Sequence, residues 1–589
     1  VHRRWFVNRT NPEYIKYLSE AASVSPVLAQ ILINRGIRTS GEISSFLNPR
    51  ISQLSDPFEI QDMNVAVNRI LAASKNGEKV LVHGDYDTDG LTAAAITLTS
   101  LKMLGIDCCS FIPNRIEHGY GFSRSSLKKA KQAGAGLIIT VDCGISSFET
   151  ASLCRKQGIE VIITDHHEPV KTGKSETGTK RSGEKQIHDP RSTTQEFLLP
   201  DAVAVINPKI SNPGSGASNL SGAGIAFKLA HALALSAGHD FQSMVHDLLD
   251  LAALGTMADV VPLTGENRVI VKEGLNLIKK GTRCGLQALK EVSGINGKAM
   301  KPGNILFTIV PRINAAGRIS DSNNILDLLL TDSGDEASEI SLWLDKLNSE
   351  RQQIEEKVYQ EALSMLGDKE VGPVIVLSSG GWHRGVIGIV ASRIAEQFCR
   401  PTCILSEEGP VARGSARSIP SFDICKALAG CKELLTAFGG HKQAAGLELE
   451  ARNIFPFEEC MKKIADEMLA ERDFFPSLEI DADVDFSVIN FNLTGEMEKL
   501  EPFGFGNPEP VLGSRGLEVL YPRILKDRHL KMKLRQKNRS LDAIGFDMAP
   551  LFEKLDLSST VDAAYTPLIN EWQGARRLQM NLKAIRPSA

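Results

Sequence analysis

No Cys-x-x-Cys pair occurs among the ten cysteines of this 589-residue chain. The nearest patterns, Cys108–Cys109 and Cys399-x3-Cys403, are scattered. The lack of such a pair excludes a zinc ribbon and a disulfide framework, and it suits a reducing cytoplasm. No apolar run approaches the length of a membrane span, so no membrane partner is expected. The basic start VHRRWFVNRT leads into no apolar h-region, so no signal peptide is expected; an organelle protein whose transit peptide has been removed stays compatible with it. There is no HExxH zinc spacing and no internal repeat. Charge of one sign is also missing. The net charge of -4 gives no bulk attraction for nucleic acid, and any basic surface must be local.

What remains is ordinary globular chemistry, with 42% apolar and 23% charged residues. The length calls for three or four domains. Against that background three segments stand out: KVLVHGDYDTDG (79–90), LIITVDCG (137–144) and EVIITDHHEP (160–169). Each places carboxylates or imidazoles directly after an apolar β-type run. Side by side, such strand ends offer a mixed oxygen and nitrogen donor set without thiolate. That set suits Mn²⁺, favoured by the histidines, or Mg²⁺. Two such ions are a common device for cutting phosphoesters.

Each segment has a plainer reading. Asp85-Tyr-Asp-Thr-Asp-Gly opens like a calcium loop, but position 12 would be Ile96 where a bidentate Glu is required, and a strand precedes it. Asp89 reads as a cap of the helix that begins near Gly90, whereas Asp85 and Asp87 sit too early to cap. Asp142 alone reads as a turn residue. Asp165-His166-His167 is harder to dismiss, since two histidines and an acid after a strand are rarely all structural. Asp259, in DLAALGTMADVVPL (250–263), counts only if the fold brings it to the others.

The pattern divides the chain into an N-terminal helical segment (1–60), a first α/β domain (61–334), a long connecting helix (335–365), a second α/β domain (366–472) and a β-rich remainder (473–589). Strands at 79–83, 137–141 and 160–164 alternate with helical periodicity, the logic of a doubly wound parallel sheet whose ligands sit beyond the carboxyl ends of the strands. Residues 170–197, rich in Lys, Ser, Thr and Gly, read as a mobile surface insertion. In the remainder LKMKLR (530–535) alternates strictly, and further strands are expected at 540–546, 560–566 and 577–584. This predicts a small barrel of OB type. Its basic run 526–539 suits a single strand of nucleic acid. Phe503, Phe505 and Tyr521 are assigned to the core as readily as to stacking.

HGDYDTDG, TVDCG, TDHHEP and GTMADVVPL resemble the four ligand motifs of the DHH phosphoesterase superfamily, and GSARS (414–418) with FGGHKQAAG (438–446) resembles its DHHA1 domain. PNRIEHGYG (113–121), PRINAAGRI (311–319) and ASRIAEQFCRP (391–401) extend the likeness to the RecJ family of bacterial single-strand-specific 5′-to-3′ exodeoxyribonucleases. The resemblance implies a DHH domain, a DHHA1 domain and an OB-fold. It implies His83, Asp85, Asp87, Asp142, His166 and Asp259 as ligands of two divalent cations, with Asp142 bridging, Asp165 orienting an imidazole and His167 facing the scissile phosphate. Arg115, Ser415 and Arg417 are candidates for a 5′-phosphate pocket. Arg312, Asn314, Arg318, Arg413, Gly440 and His441 are further substrate contacts. A cleft between two domains would select single strands. A monomer acting in recombination and repair is implied, with single-stranded DNA, a single-stranded DNA-binding protein and a RecQ-type helicase as partners. The competing readings are a DHH phosphatase acting on short oligonucleotides and a non-catalytic DHH scaffold that binds single strands. Neither suits the extra barrel together with a full ligand set.

Overall fold

Short runs of Val, Ile and Leu build a five-stranded parallel sheet: β1 (Val80–Gly84), β2 (Cys108–Phe111), β3 (Leu137–Val141), β4 (Glu160–Thr164) and β5 (Ala204–Ile206). The computed structural model describes residues 3–113, 121–172, 197–211, 217–297, 300–319, 323–367, 371–554, 560–572 and 574–588. The strand order is β2-β1-β3-β4-β5, so the winding reverses between β1 and β3. Such a reversal opens a crevice at the carboxyl ends of the two strands. Every residue of β1 and β3 is buried, as expected of strands covered on both faces.

Helix α1 (Thr88–Met103) follows β1 and is buried almost all round, from Thr88 to Leu98 and at Ser100 and Leu101. Small residues let α2 (Gly222–Ala237) and α3 (Phe241–Ala258) pack against it. A Cβ at Gly255 would stand 2.5 Å from Ala223 Cβ and 2.6 Å from Asp89 Oδ1, so the three helices meet where only glycine fits. Helix α4 (Gly265–Lys280) packs on α3 and carries Arg268, which is 2% exposed. Its guanidinium donates to the carbonyls of Phe46, Lys499, Leu500 and Glu501 and lies 3.9 Å from the Phe46 ring centroid. Asn507 Nδ2 donates to Leu500 O and Pro502 O, both at 2.8 Å. Residues 499–509 are thereby fixed to the compact unit formed by residues 39–347.

The chain leaves this unit inside α6 (Gly334–Leu366), which follows α5 (Val310–Ile319) and is one continuous helix as the periodicity requires. The other compact unit comprises residues 1–38, 348–498 and 510–589. It holds a sheet of β6 (Ile375–Ser379), β7 (Thr402–Glu408), β8 (Val411–Arg417), β9 (Ala437–Gly440) and β10 (Ala444–Glu450) in the order β9-β10-β8-β7-β6, with α7 (Ile387–Phe398) against it. It also holds a closed barrel of β11 (Leu512–Leu525), β12 (His529–Gln536), β13 (Arg539–Gly545), β14 (Val561–Trp572) and β15 (Ala575–Pro587). The order is β11-β12-β13-β15-β14, and pairing of β11 with β14 closes it. Leu530, Met532 and Leu534 point inward as their alternation requires.

The fold refines two expectations. The first 60 residues are not helical throughout: Arg4–Val7 is a strand, paired parallel with Ser477–Ile480. Tyr521 and Phe505 are not core, being 80% and 61% exposed. The basic run of β12 faces outward, but its charges are met locally. Arg528 pairs with Asp547, Lys533 with Asp542, Arg535 with Glu518 and Lys537 with Asp485. The insertion at 170–197 begins and ends in a short ribbon, Val170–Lys171 against Phe197–Leu198, and 173–196 lie outside the described residues.

Candidate metal centre

The crevice at the switch point collects the donors. His83, near the end of β1, is fully buried between the rings of Phe111 and Phe122, at centroid distances of 5.7 and 5.5 Å. Burial pushes its pKa down to about 4, so the imidazole is neutral at physiological pH, the form that ligates metals. Its Nδ1 sits 3.3 Å from Ser126 Oγ. Asp142 follows β3 at φ 60°, a left-handed conformation that non-glycine residues rarely adopt and that recurs at functional sites. His166 follows β4, and its Nε2 lies 3.1 Å from Asp142 Oδ1 and 3.4 Å from Asp259 Oδ2. Asp259 terminates α3, beside the negative end of that helix.

Three groups of donor atoms each fall within 4.8 Å: Asp85, Asp87 and Asp142; Asp142, His166 and His167; and Asp89, His166 and Asp259. Asp142 belongs to two of them. His83 Nε2, Asp142 Oδ1 and Asp259 Oδ2 are buried without a hydrogen bond. Desolvated carboxylate oxygens and an imidazole nitrogen left so are costly in a folded protein, and a divalent cation satisfies them together. The donor set therefore fits divalent metal. The acids respond accordingly. Burial, then repulsion from Asp89, Asp87, Asp259 and Asp85, raises Asp142 well above the usual carboxylate range. Burial and the neighbouring Asp87 push Asp89 up to about 7. Burial with Asp89 and Asp87 pushes Asp259 up to about 9.

Asp165 is different. Burial would raise it, but its hydrogen bond to His167 and the backbone N–H groups of His167 and Ile145 outweigh burial and hold it below the usual range. Its Oδ1 accepts from the N–H groups of His166 and His167 and lies 2.7 Å from His167 Nδ1, so it fixes the ring of His167. Burial opposes charge on His167, yet Asp165 wins and raises it to about 9.

The capping assignment is reversed. Asp87 is the N-cap of α1, its Oδ1 accepting from Gly90 N–H at 3.0 Å. Asp87 sits three residues before Gly90, the right distance for a cap once the helix starts at Thr88. Asp89 lies in the first turn of α1, and its carboxylate accepts from Gly222 and Ala223 N–H groups at the start of α2, at 2.6 and 2.9 Å. Asp89 thereby joins the cluster, although its place in the sequence marks it only as a cap. Gly222 and Asn314 also do more than the sequence indicates. Asn314 Oδ1 accepts from Thr88 N–H and Oγ1 at 2.9 and 2.7 Å, which holds the start of α1. A Cβ at Gly222 would stand 2.5 Å from Asp142 Cβ and 2.6 Å from its Cγ. Gly222→Ala is expected to lower stability by about 1–3 kcal/mol through overpacking and to weaken Mn²⁺ binding. Melting curves with and without Mn²⁺ check this.

Of the other candidates, Arg115 lies outside the described residues. Arg312 pairs with Asp345 at 2.7 Å and donates to Thr308 O, which ties α5 to α6. Arg318 sits near the end of α5. Arg417 donates to Ser392 Oγ and Ser415 Oγ at 3.1 and 2.9 Å, while Gly388 in the first turn of α7 leaves room beside them. Ser415 and Arg417 thus meet at a helix N-terminus, a natural seat for a phosphate. Arg413, on the same strand, is engaged by Glu448 and Glu408. Gly440 (φ 149°) and His441 form the turn between β9 and β10.

Three family models match the chain: the DHH family N-terminal domain over residues 79–256, the DHHA1 domain over 371–470 and the RecJ OB domain over 480–584. The single-stranded-DNA-specific exonuclease RecJ of Bacillus subtilis is 35% identical over 585 residues, covering 98% of this chain and 70% of that protein. The Escherichia coli protein of the same name is 31% identical, covering 96% of each. The crystal structure of RecJ from Thermus thermophilus in complex with Mn²⁺ superposes with a TM-score of 0.82 at 30% identity, covering all of this chain and 80% of that one. A second structure of that protein, with Mg²⁺, has a TM-score of 0.77 at 29% identity and covers 79% of that chain.

Proposed function

Because the chain belongs to the RecJ family of single-stranded-DNA-specific exonucleases, we propose that its switch-point cluster removes nucleotides one by one from the 5′ end of a single strand. The enzyme is a nuclease of the DHH fold, and its cofactor is a divalent cation, Mn²⁺ or Mg²⁺. His83, Asp85, Asp87, Asp142, His166 and Asp259 are the residues to hold two such ions. The observation that carries this reading is the membership of Asp142 in two donor groups, which suits a carboxylate shared by two cations. When bound, the cations supply Lewis acidity to a phosphoryl oxygen and a water that ionises near neutral pH.

The chain's own groups do the rest. Asp165 grips His167 through Nδ1, and the opposite ring nitrogen, Nε2, is assigned to meet substrate. Against the cost of burial, Asp165 favours charge on the His167 ring, which suits it to donate to a non-bridging oxygen as negative charge builds there. Asp142, held at φ 60° against Gly222, is placed before substrate arrives. Ser415 and Arg417 take the 5′-phosphate, since Arg suits bidentate phosphate binding, and Arg115 is assigned to the substrate's phosphates as well. Arg413 and Gly440 lie on the same sheet as Ser415 and Arg417, His441 follows in the turn after Gly440, and the three serve as further contacts. Arg312, Asn314 and Arg318 on α5 serve the strand further along. Single-stranded DNA is the partner. A single-stranded DNA-binding protein and a RecQ-type helicase, a monomeric state and a bacterial cytoplasmic setting in recombination and repair extend the same reading.

Single strands labelled at the 5′ or the 3′ end test it. With Mn²⁺ or Mg²⁺ the 5′ label is expected to appear at once as a mononucleotide, and EDTA is expected to stop the reaction. Immediate release of the 3′ label, or full activity in EDTA, would overturn the assignment.

A further inference from the structure

The loop 499–509 carries one unexpected exposed side chain, Phe505, on the segment that follows Asp259. Arg268 and Asn507 pin its backbone through the carbonyls of Leu500, Glu501 and Pro502. Leu263 N–H donates to Phe505 O at 2.8 Å, so the loop lies along Val260–Leu263, the residues that follow Asp259. Gly504 and Gly506 flank Phe505 and approach the same segment closely. A Cβ at either would stand 2.6 Å from Leu263 Cδ1 or 2.8 Å from Pro262 Cβ. The backbone on both sides of the ring is thus held, yet the ring is 61% exposed. Val260 is also 63% exposed and is held at φ 58°, a conformation that β-branched residues avoid.

A held, water-exposed phenyl ring and a strained, exposed valine contribute little to the stability of the chain that carries them. Strain of this kind persists where function uses it. Val260 directly follows Asp259, and Phe505 lies against Leu263, four residues further on; the Asp259 side chain is 22% exposed and so opens toward solvent. An apolar ledge at the rim of a phosphate-cutting site suits the one apolar part of a nucleotide, its base. Stacking is indifferent to sequence because every base has a π-face. It also requires a base that is free of its neighbours, which favours single strands over duplex.

We propose that Phe505, seated on the segment that runs from Asp259 and the exposed Val260 to Leu263, is the stacking ledge for a base of the strand being cut, and that it positions the adjoining phosphate. The proposal rests on the nuclease reading. Its test compares wild type, Phe505→Ala and Phe505→Trp on single-stranded oligonucleotides with normal bases or with one abasic residue at each of the first few 5′ positions. Phe505→Ala is expected to lower kcat/KM on normal strands about tenfold, and Phe505→Trp to restore most of it. An abasic residue at the stacked position is expected to cost wild type a similar factor, and the two losses are not expected to multiply. The same strands are compared for binding in EDTA by fluorescence anisotropy. Phe505→Ala equal to wild type in both assays, or losses that multiply at every position, would overturn the ledge. If wild type binds strands but releases no nucleotide, the nuclease reading fails, and the binding cycle still decides for or against Phe505.

Discussion

Asp142→Asn is expected to slow hydrolysis of single-stranded DNA by a thousandfold or more, roughly the ~4 kcal/mol that loss of a main electrostatic element costs a transition state. The amide keeps the size of the carboxylate, so the positive-φ turn and the seat against Gly222 survive. What is lost is the charge shared by two donor groups. The same substitution is expected to raise the melting temperature of the metal-free protein near pH 8. Asp142 is buried among Asp89, Asp87, Asp259 and Asp85, and removing one member relieves repulsion. The gain should be about 2–4 °C for each kcal/mol relieved. Added Mn²⁺ should then stabilise the variant less than it stabilises wild type. Calorimetry with and without Mn²⁺, beside the labelled-strand assay, reads all three outcomes. Full activity in the variant would remove Asp142 from the site.

In EDTA the wild-type protein is expected to lose stability steadily as pH rises from 6 to 9, and Mn²⁺ should reverse the loss. Asp89 and Asp259 have folded pKa values raised to about 7 and about 9. Between the ordinary carboxylate value and those figures the folded state binds more protons than the unfolded state, so stability falls with rising pH. His167, raised to about 9, acts in the same direction: its contribution is complete below the ordinary histidine value and is lost as pH climbs through 9. His83 acts oppositely, but only in acid. Its pKa is lowered to about 4, so the unfolded state gains a proton between about 4 and the ordinary value, and stability there rises with pH. Asp165, held low, likewise matters only in acid. Between about pH 4 and 6.5 the raised Asp89 and Asp259 together outweigh the lowered His83, so the decline already begins below pH 6. At a thousand times its dissociation constant Mn²⁺ would add about 4 kcal/mol. The stabilisation by Mn²⁺ should grow with pH, because protons no longer compete for the carboxylates. Thermal melts across that range, with EDTA or with Mn²⁺, test the sign.

Much of this was legible in the chain itself. A strand ending in Asp or His announces its ligand locally, because a continuous apolar run must be buried and its end must face a sheet edge. That rule brings His83 and His166 to the crevice, whereas Asp142 by itself reads as a turn residue and gains weight only beside them. The alternation in LKMKLR likewise settled which side of β12 faces the barrel, since a strand has a period of two. Asp259 was legible only as a possibility. Nothing near it marks a strand end, and the fold enlists it because α3 happens to finish in the crevice.

The absence of thiolate pairs and the three carboxylate-rich strand ends determined that this protein is built around an oxygen- and imidazole-lined metal centre, with two α/β sheets and a barrel. Tertiary structure alone decided which acids do what. Asp87 and Asp89 are two residues apart; which of them caps α1 depends on where α1 starts, and what Asp89 binds instead depends on the N–H groups of α2, more than a hundred residues away. Tertiary structure also placed Phe505 beside the segment after Asp259, a contact between residues that no local pattern connects. Periodicity and capping act within a few residues and can be read from them. The partners of a carboxylate and the neighbours of a ring are set by packing, which depends on the whole chain.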